Sequence, residues 1–369
     1  MINPTRVFID KDLNLTPEIE YLISRVKPTP EKVGDSRPVY DLINQADDPV
    51  GFAKKVLYIT SNKGALIRQC PGTSYYTCCD YTILHCGTYC TMDCAYCILQ
   101  AYFHPPVLQY FAGFEQYTAA LDPIFQGDNI LRIGTGEYTD SLIWEPVSLM
   151  PIFLVEKFAA QDRAVLELKT KTVNIDTLLD LNHNRKTILS WSVNTPEMIA
   201  SQERGTAGLA ARLKAAAKAV SKGFRVAFHF DPIFLYPGCE NAYENVVEAI
   251  FDHVRPKDVV WISIGTFRFM PHLKSIIEGR FPESTIPYGE FITGLDNKMR
   301  YFKPLRIAIY QRLAAVFRQI APDVAVYFCM EDEEVWMKTF GFFPGKPKAL
   351  AHMLDRAAAD RCELDNRLL

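Results

Sequence analysis

The sequence predicts an α/β fold built around a parallel sheet. Strand-like and helix-like patterns alternate from about residue 129 to the C-terminus, and repeated strand–helix–strand units imply parallel pairing. The strand-like runs end in polar residues, and ligands on such sheets sit at the carboxyl ends of the strands. The chain has 369 residues, enough for a single α/β barrel with extensions.

Taken in order, Thr16–Val26 reads as a short helix, followed by a Pro-rich break at Lys27–Pro30. Residues 51–110 carry most of the cysteines and close near the breaker pair Pro105–Pro106. Six strand-like runs follow: Asn129–Ile133, Ala164–Lys169, Thr187–Val193, Arg225–Phe230, Asp258–Ile264 and Val324–Phe328. Leu209–Ser221 is an Ala-rich helical pattern that Gly223 would close. Val246–Val254 and Leu305–Ile320 also have helical spacing, while Pro271–Asp296 reads as an inserted loop or hairpin. The expected division is an N-terminal extension over 1–70, a barrel over 71–270 and a C-terminal region over 271–369 that completes a cleft.

Charged residues make up 22% of the chain and the net charge is −3, so there is no basic excess of the kind a dedicated nucleic-acid binder carries. Any DNA contact must come from a local patch. No stretch reaches the roughly 20 apolar residues that span a bilayer, and the N-terminus lacks a signal-peptide pattern. The expected location is the cytoplasm, with no membrane partner and a monomer or weak dimer as the assembly.

Seven of the ten cysteines lie between Cys70 and Cys97. A disulfide framework would spread its bridges, so this clustering points to metal or redox chemistry. At its centre is Cys90-Thr-Met-Asp-Cys94-Ala-Tyr-Cys97. Three thiolates on so short a loop can hold three corners of a cubane cluster and leave one metal position open. A structural zinc site that recruits Cys86 is the alternative.

The C-x3-C-x2-C spacing, with Tyr96 before the last cysteine, resembles the signature of radical S-adenosylmethionine (SAM) enzymes. Cys97-Ile-Leu-Gln100 resembles, more narrowly, the spore photoproduct lyase family. Leu168–Val173, Ser190–Asn194, Glu203–Thr206, Ala215–Gly223 and Asp231-Pro232-Ile233 follow in that family's order. Cys70-Pro-Gly-Thr-Ser74 with Tyr75 and Tyr76 resembles its segment before the cluster. The resemblance implies a partial (β/α)6 radical SAM barrel with N-terminal and C-terminal extensions. It implies a [4Fe–4S] cluster and SAM as cofactors, a thymine lesion in DNA as substrate, and an electron donor such as flavodoxin or ferredoxin.

Residue by residue, the resemblance makes Cys90, Cys94 and Cys97 the cluster ligands. Lys171 would pair with the SAM carboxylate and Ser192 would hydrogen-bond SAM. Gly134, Gly136 and Glu137 would cradle the SAM ammonium, with Thr139 and Ser141 nearby. Arg300 and Tyr301 would meet the lesion. The run Met299–Arg306 offers Arg300, Lys303 and Arg306 for phosphates, and Lys346 and Lys348 would extend that surface. Glu331–Glu334 would repel a DNA backbone.

Two departures stand out. Family members carry a hydrogen-donor cysteine where this chain reads Glu137-Tyr138-Thr139-Asp140, and a tyrosine where it has Ile98. Cys70 is the substitute donor expected, with Tyr138 and Tyr96 as the tyrosines nearest the chemistry. A different substrate for the same machinery, or a non-catalytic metal-cluster protein that binds nucleic acid, are the competing readings. His229, on the apolar run Ala227–Phe234, reads as a hydrogen-bonded core histidine.

Overall fold

The computed structural model describes residues 2–73, 75–345, 348–365 and 367. Its main sheet has eight strands: β1 Ile67–Gln69, β2 Thr82–Leu84, β3 Leu131–Gly134, β4 Ala164–Thr170, β5 Thr187–Ser192, β6 Arg225–Ile233, β7 Val259–Thr266 and β8 Ala325–Phe328. They lie side by side in chain order, and only the β1–β2 pair is antiparallel. The result is a curled half-barrel. Strands β3 to β8 are the six runs expected from the sequence; β2 adds a further parallel strand inside the cysteine-rich segment.

Strand β4 shows how the sequence builds this sheet. Its neighbours on both sides are parallel, so alternate residues face the barrel lumen and the outer helices. Leu168 packs outward against Met150, Pro151 and Leu154 of the helix Met150–Ala159. Glu167 faces inward, where it meets His229 of β6 and Trp261 of β7. Lys169 and Lys171 continue the inward row.

A second, five-stranded sheet joins Glu31–Val33, Arg6–Asp10, Val56–Thr60, Leu108–Phe111 and Gly87–Thr88 in that spatial order. It takes strands from both sides of the expected boundary at residue 70, so the N-terminal extension is sewn to the cysteine-bearing segment. The helix expected at Leu209–Ser221 has those bounds. The helix expected from Val246 starts earlier, at Cys239, because its first turn, Cys-Glu-Asn-Ala, carries no apolar period.

Pro271–Asp296 is more ordered than a loop. Pro271 opens the helix Pro271–Arg280, a first-turn position where a missing N–H costs nothing. Phe291–Thr293 then forms a hairpin with Met299–Tyr301, completed by Arg268–Phe269. Among the described residues no helix is long and apolar enough to cross a membrane.

Candidate metal centre and cofactor site

The three signature cysteines sit in a loop pinned from several directions. Cys90 and Cys94 are buried and Cys97 is half-buried. The backbone N–H of Met92 donates to Cys90 Sγ at 3.4 Å. Asp93–Cys94 pairs antiparallel with Glu203–Arg204, and Ala95 N donates to Gln202 O at 2.8 Å. Just upstream, Tyr89 takes a left-handed backbone with φ of 68°, an unfavourable conformation for an aromatic residue. Its ring is fully buried and its hydroxyl donates to Val50 O at 2.9 Å, so packing holds the turn that leads into Cys90.

Three side chains brace the loop, two of which, Lys54 and Arg280, sequence reading missed. Lys54 donates to the carbonyls of Cys90 and Met92 at 3.3 and 2.6 Å and pairs with Asp93 at 3.5 Å. Arg280 reaches Asp93 at 3.1 Å from the opposite side and also binds Gln100 and Asp48. Gln100, 1% exposed, points its amide at the carbonyls of Cys94, Ala95 and Cys97 at 3.1, 3.1 and 3.3 Å. Gln100 ends the Cys97–Gln100 motif, and this fan of contacts is the physical reason for an amide there. A cleft of about 620 Å³ bordered by Asp48, Lys54, Thr91, Asp93 and Arg280 opens on the outer side of the loop.

The donor set fits a cubane better than a closed zinc site. Thiolates suit both iron–sulfur clusters and zinc, but a tetrahedral structural zinc needs a fourth ligand. Cys86, the candidate for it, is turned away: it is buried and lines an internal void with Trp144 and Met150. Among the described residues no three metal-ligating side chains converge on a single point. Burial pushes the Cys90 thiol up to about 12 and raises Cys94, with Lys171 opposing the shift at Cys94.

Lys171 stands beside the loop, its ammonium 5.6 Å from the Tyr96 ring centre. Burial opposes its charge, but Cys94 and Glu203 outweigh it and the pKa is raised. It makes no ion pair among the described residues. Asp140 sets its backbone, accepting from Lys171 N and Thr170 Oγ1 at 2.8 Å each. Tyr96 donates to Glu203, which also pairs with Arg212 at 2.5 Å. Arg212 in turn donates to Ser192 O at 2.8 Å. One buried network therefore ties the cluster loop to the ends of β4 and β5.

The other expected cofactor residues divide. A Cβ on Gly134 would fall 1.5 Å from the Tyr81 hydroxyl, and one on Gly136 would fall 2.9 Å from Lys169 Cβ. Both glycines thus make room for this chain's own side chains. Thr139 and Ser141 face the internal void beside Cys86, and Ser141 Oγ is engaged by Thr135 at 2.7 Å. Glu137 acts electrostatically on Lys169, Cys70 and Cys329. The carboxylates that act on the cluster thiols are Asp140 and Glu203.

The thiol expected as donor has company. Cys78 acts on the thiols of Cys70 and Cys79, and Cys329 just past the end of β8 is electrostatically close to Cys78 and Glu137. The neighbouring Cys78 thiol, together with burial, raises the Cys70 pKa. Tyr138 packs on His85, Tyr102 and Phe103, and its carbonyl accepts from Tyr89 N at 2.7 Å. Ile98 is 39% exposed beside Cys97. His229 is the hydrogen-bonded core histidine expected, 2.7 Å from both Ser263 and Glu167.

The basic run Met299–Arg306 is corrected by the structure. Arg300 is 3% exposed, pairs with Asp296 at 2.8 Å and lies over the Tyr76 ring. Tyr301 is buried against Phe291. Arg306 pairs with buried Glu331 at 3.0 Å, and Lys303 binds Asp332 and Glu334 at 2.8 and 2.9 Å. The two runs pair with each other, which buries Arg306 and Glu331, while Glu333 and Glu334 stay at the surface. The apolar groups the hairpin does expose are Ile292 and Leu295, with Phe302 just beyond it. Ser74 and Lys346 lie outside the described residues.

The profile of the family described as Spore photoproduct lyase matches residues 71–302. The spore photoproduct lyase of Bacillus subtilis (strain 168) is 28% identical over 229 residues, 59% of this chain and 63% of that protein. That of Geobacillus sp. (strain Y412MC61) is 28% identical over 212 residues, 55% of this chain and 61% of its own length. These matches span less than two thirds of either relative. Among solved structures, a spore photoproduct lyase variant with bound AdoMet and dinucleoside spore photoproduct superposes with a TM-score of 0.75 at 20% identity, covering 88% of this chain and 98% of that one. A spore photoproduct lyase complexed with dinucleoside spore photoproduct gives 0.76 at 20% identity, over 89% and 99%. With the family profile covering well over half of its residues, this chain belongs to the spore photoproduct lyase family.

Proposed function

We propose that this chain is a radical SAM lyase that repairs a spore photoproduct-type thymine lesion in DNA. The observation that carries the reading is a braced three-thiol loop with an unpaired ammonium, Lys171, beside it. Cys90, Cys94 and Cys97 would hold a [4Fe–4S] cluster, and Lys171 would take the carboxylate of SAM, a charge-assisted contact. When bound, the cluster would supply the electron for reductive cleavage of SAM, the source of a radical able to abstract hydrogen from the lesion.

The chain's own residues supply position and hydrogen. Glu203 and Arg212 fix Tyr96 and the loop, Asp140 fixes Lys171, and Ser192 stands at the end of the next strand. Cys70, upstream of the cluster loop, is the hydrogen donor to the product radical, with Tyr138 as the alternative. Arg300 and Tyr301 shape the hairpin from within, and Ile292 and Leu295 are its exposed apolar side. The cleft outside the cluster loop is where a flavodoxin or ferredoxin would approach.

Ile98, together with the thiol-free Glu137–Asp140 segment, favours a second reading in which the same machinery acts on another substrate. Anaerobically reconstituted protein, incubated with dithionite, SAM and dinucleotide spore photoproduct, separates the two. The first reading predicts 5′-deoxyadenosine and repaired thymidine dinucleotide. Deoxyadenosine without repair supports the second, and neither product contradicts both.

A further inference from the structure

The carboxyl ends of β2 and β3 carry a row of aromatic rings beside the cluster loop. His85 follows β2 and Tyr138 follows β3, and their ring centres lie 4.8 Å apart. Tyr102, at the end of the short helix Leu99–Tyr102, comes within 5.9 Å of Tyr138 at an interplanar angle of 35°. Phe103 packs on Tyr138 at 6.4 Å. The outer end of the row is open: Tyr102 is 54% exposed, and Ile98, one helical turn before it, is exposed as well. The inner end is a neutral face, because both ring nitrogens of His85 are buried with no hydrogen-bond partner and burial lowers its pKa to about 4.

An unpaired guanidinium stands at the same edge. Arg68 of β1 lies opposite Ile83 of β2, and His85 N donates to Leu66 O at 2.8 Å, so the register continues past the strand end. Arg68 and His85 are therefore diagonal neighbours on one face of the hairpin, about 7–8 Å apart. Ile83 in turn lies opposite Gly134 of β3, and Gly134 opposite Glu167, so this face is the one turned to the barrel lumen. The Arg68 side chain bends back along its strand toward the His85 end: Nε donates to Ala65 O at 3.2 Å, and a Cβ on Gly64 would fall 2.8 Å from Nη2. Arg68 is exposed, and no carboxylate among the described residues pairs with it. The basic run Met299–Arg306 differs in this respect, since Arg300, Lys303 and Arg306 each meet an acid of the chain.

We propose that this edge of the half-barrel holds the nucleotide next to the lesion in an unpaired DNA strand, its base stacked on Tyr102 and its phosphate on Arg68. Every base has a π-face, so an exposed ring that Tyr138 backs from behind takes a neighbour of any sequence. A guanidinium matches the oxygens of a phosphate in a fork. Neither feature alone selects a nucleotide, but a base and a phosphate joined a few ångströms apart match a ring row flanked by a free guanidinium. The mouth of the lumen is where a strand leaves a base held inside. The inference rests on the lesion-repair reading and adds a contact beyond the lesion.

The test compares two probes on reconstituted holoenzyme without reductant: the lesion dinucleotide, which has no neighbour to stack, and a single-stranded hexanucleotide with the same lesion at its centre. Wild type should bind the hexanucleotide about tenfold or more tighter than the dinucleotide. Tyr102→Ala should remove about fivefold or more of that gain and Tyr102→Phe should keep it. Arg68→Gln should reduce the slope of log affinity against log salt for the hexanucleotide by about 0.7, the share of one phosphate on a single strand. Dinucleotide affinity and iron content should be unchanged in all three variants. The proposal is overturned if wild type binds both probes equally, or if Tyr102→Ala and Arg68→Gln hold the hexanucleotide as wild type does. It is also overturned if those variants instead slow reduction by a flavodoxin or ferredoxin while hexanucleotide affinity stays intact, which would make the patch a protein-docking surface. Failure of wild type to bind either probe, with SAM still cleaved, would remove the lesion-repair reading and this proposal with it.

Discussion

Replacing Gln100 with leucine isolates the bracing of the cluster loop from its ligands. The substitution keeps side-chain bulk and helix propensity but removes the amide that meets Cys94 O, Ala95 O and Cys97 O. Cys94 O keeps the N–H of Cys97 and Cys97 O keeps the N–H of Gln100, so only the Ala95 carbonyl loses its sole partner. Arg280 also loses one acceptor and retains Asp93 and Asp48. The bonds lost at Cys94 O and Cys97 O cost about 1 kcal/mol net each and the orphaned Ala95 carbonyl about 1–3 kcal/mol, so the total is about 3–5 kcal/mol. Urea unfolding of the metal-free protein measures that stability loss, and iron per chain after anaerobic reconstitution reports the loop. Gln100→Leu should lower both while leaving all three thiols in place. An unfolding midpoint and iron content equal to wild type would refute the bracing argument.

Three further outcomes follow from the same geometry. Arg212→Met removes the partner of buried Glu203 and should cost about 3–5 kcal/mol, read as a shifted denaturant midpoint. Cys86→Ala should leave iron content unchanged, whereas Cys94→Ala should abolish the brown colour; equal losses would restore Cys86 as a ligand. Burial lowers the His85 pKa to about 4, below its unfolded value of about 6.5. The unfolded state therefore binds a proton first, so stability is intact above about pH 6.5 and declines as pH falls toward 4, by at most about 3 kcal/mol. His85→Phe should flatten that slope relative to wild type in a pH series of unfolding curves.

The sequence disclosed most where the signal is local. The six strands β3 to β8 follow from apolar runs bounded by turn residues, and the placing of Cys90, Cys94 and Cys97 on one short loop follows from their spacing. What it concealed is long-range. Lys54 and Arg280 lie 39 and 187 positions from the Asp93 they share, by their residue numbers, and nothing near either residue announces a clamp. Charge runs misled for the same reason: Arg306 and Glu331 each sit in a run that reads as solvated surface, and they are buried only because they meet each other. Glycines were ambiguous in another way. Gly134 and Gly136 signal close approach, but a sequence does not say of what, and here the visitors are Tyr81 and Lys169. Pro271, read as the start of an inserted loop or hairpin, opens a helix instead.

The most direct measurement is the yield of 5′-deoxyadenosine from SAM when anaerobically reconstituted protein is reduced with dithionite in the presence of the lesion dinucleotide, compared with Cys94→Ala. The account predicts about four irons per wild-type chain, deoxyadenosine formed together with repaired dinucleotide, and neither from the variant. A colourless wild-type protein that retains zinc at these sulfurs and leaves SAM intact would contradict it.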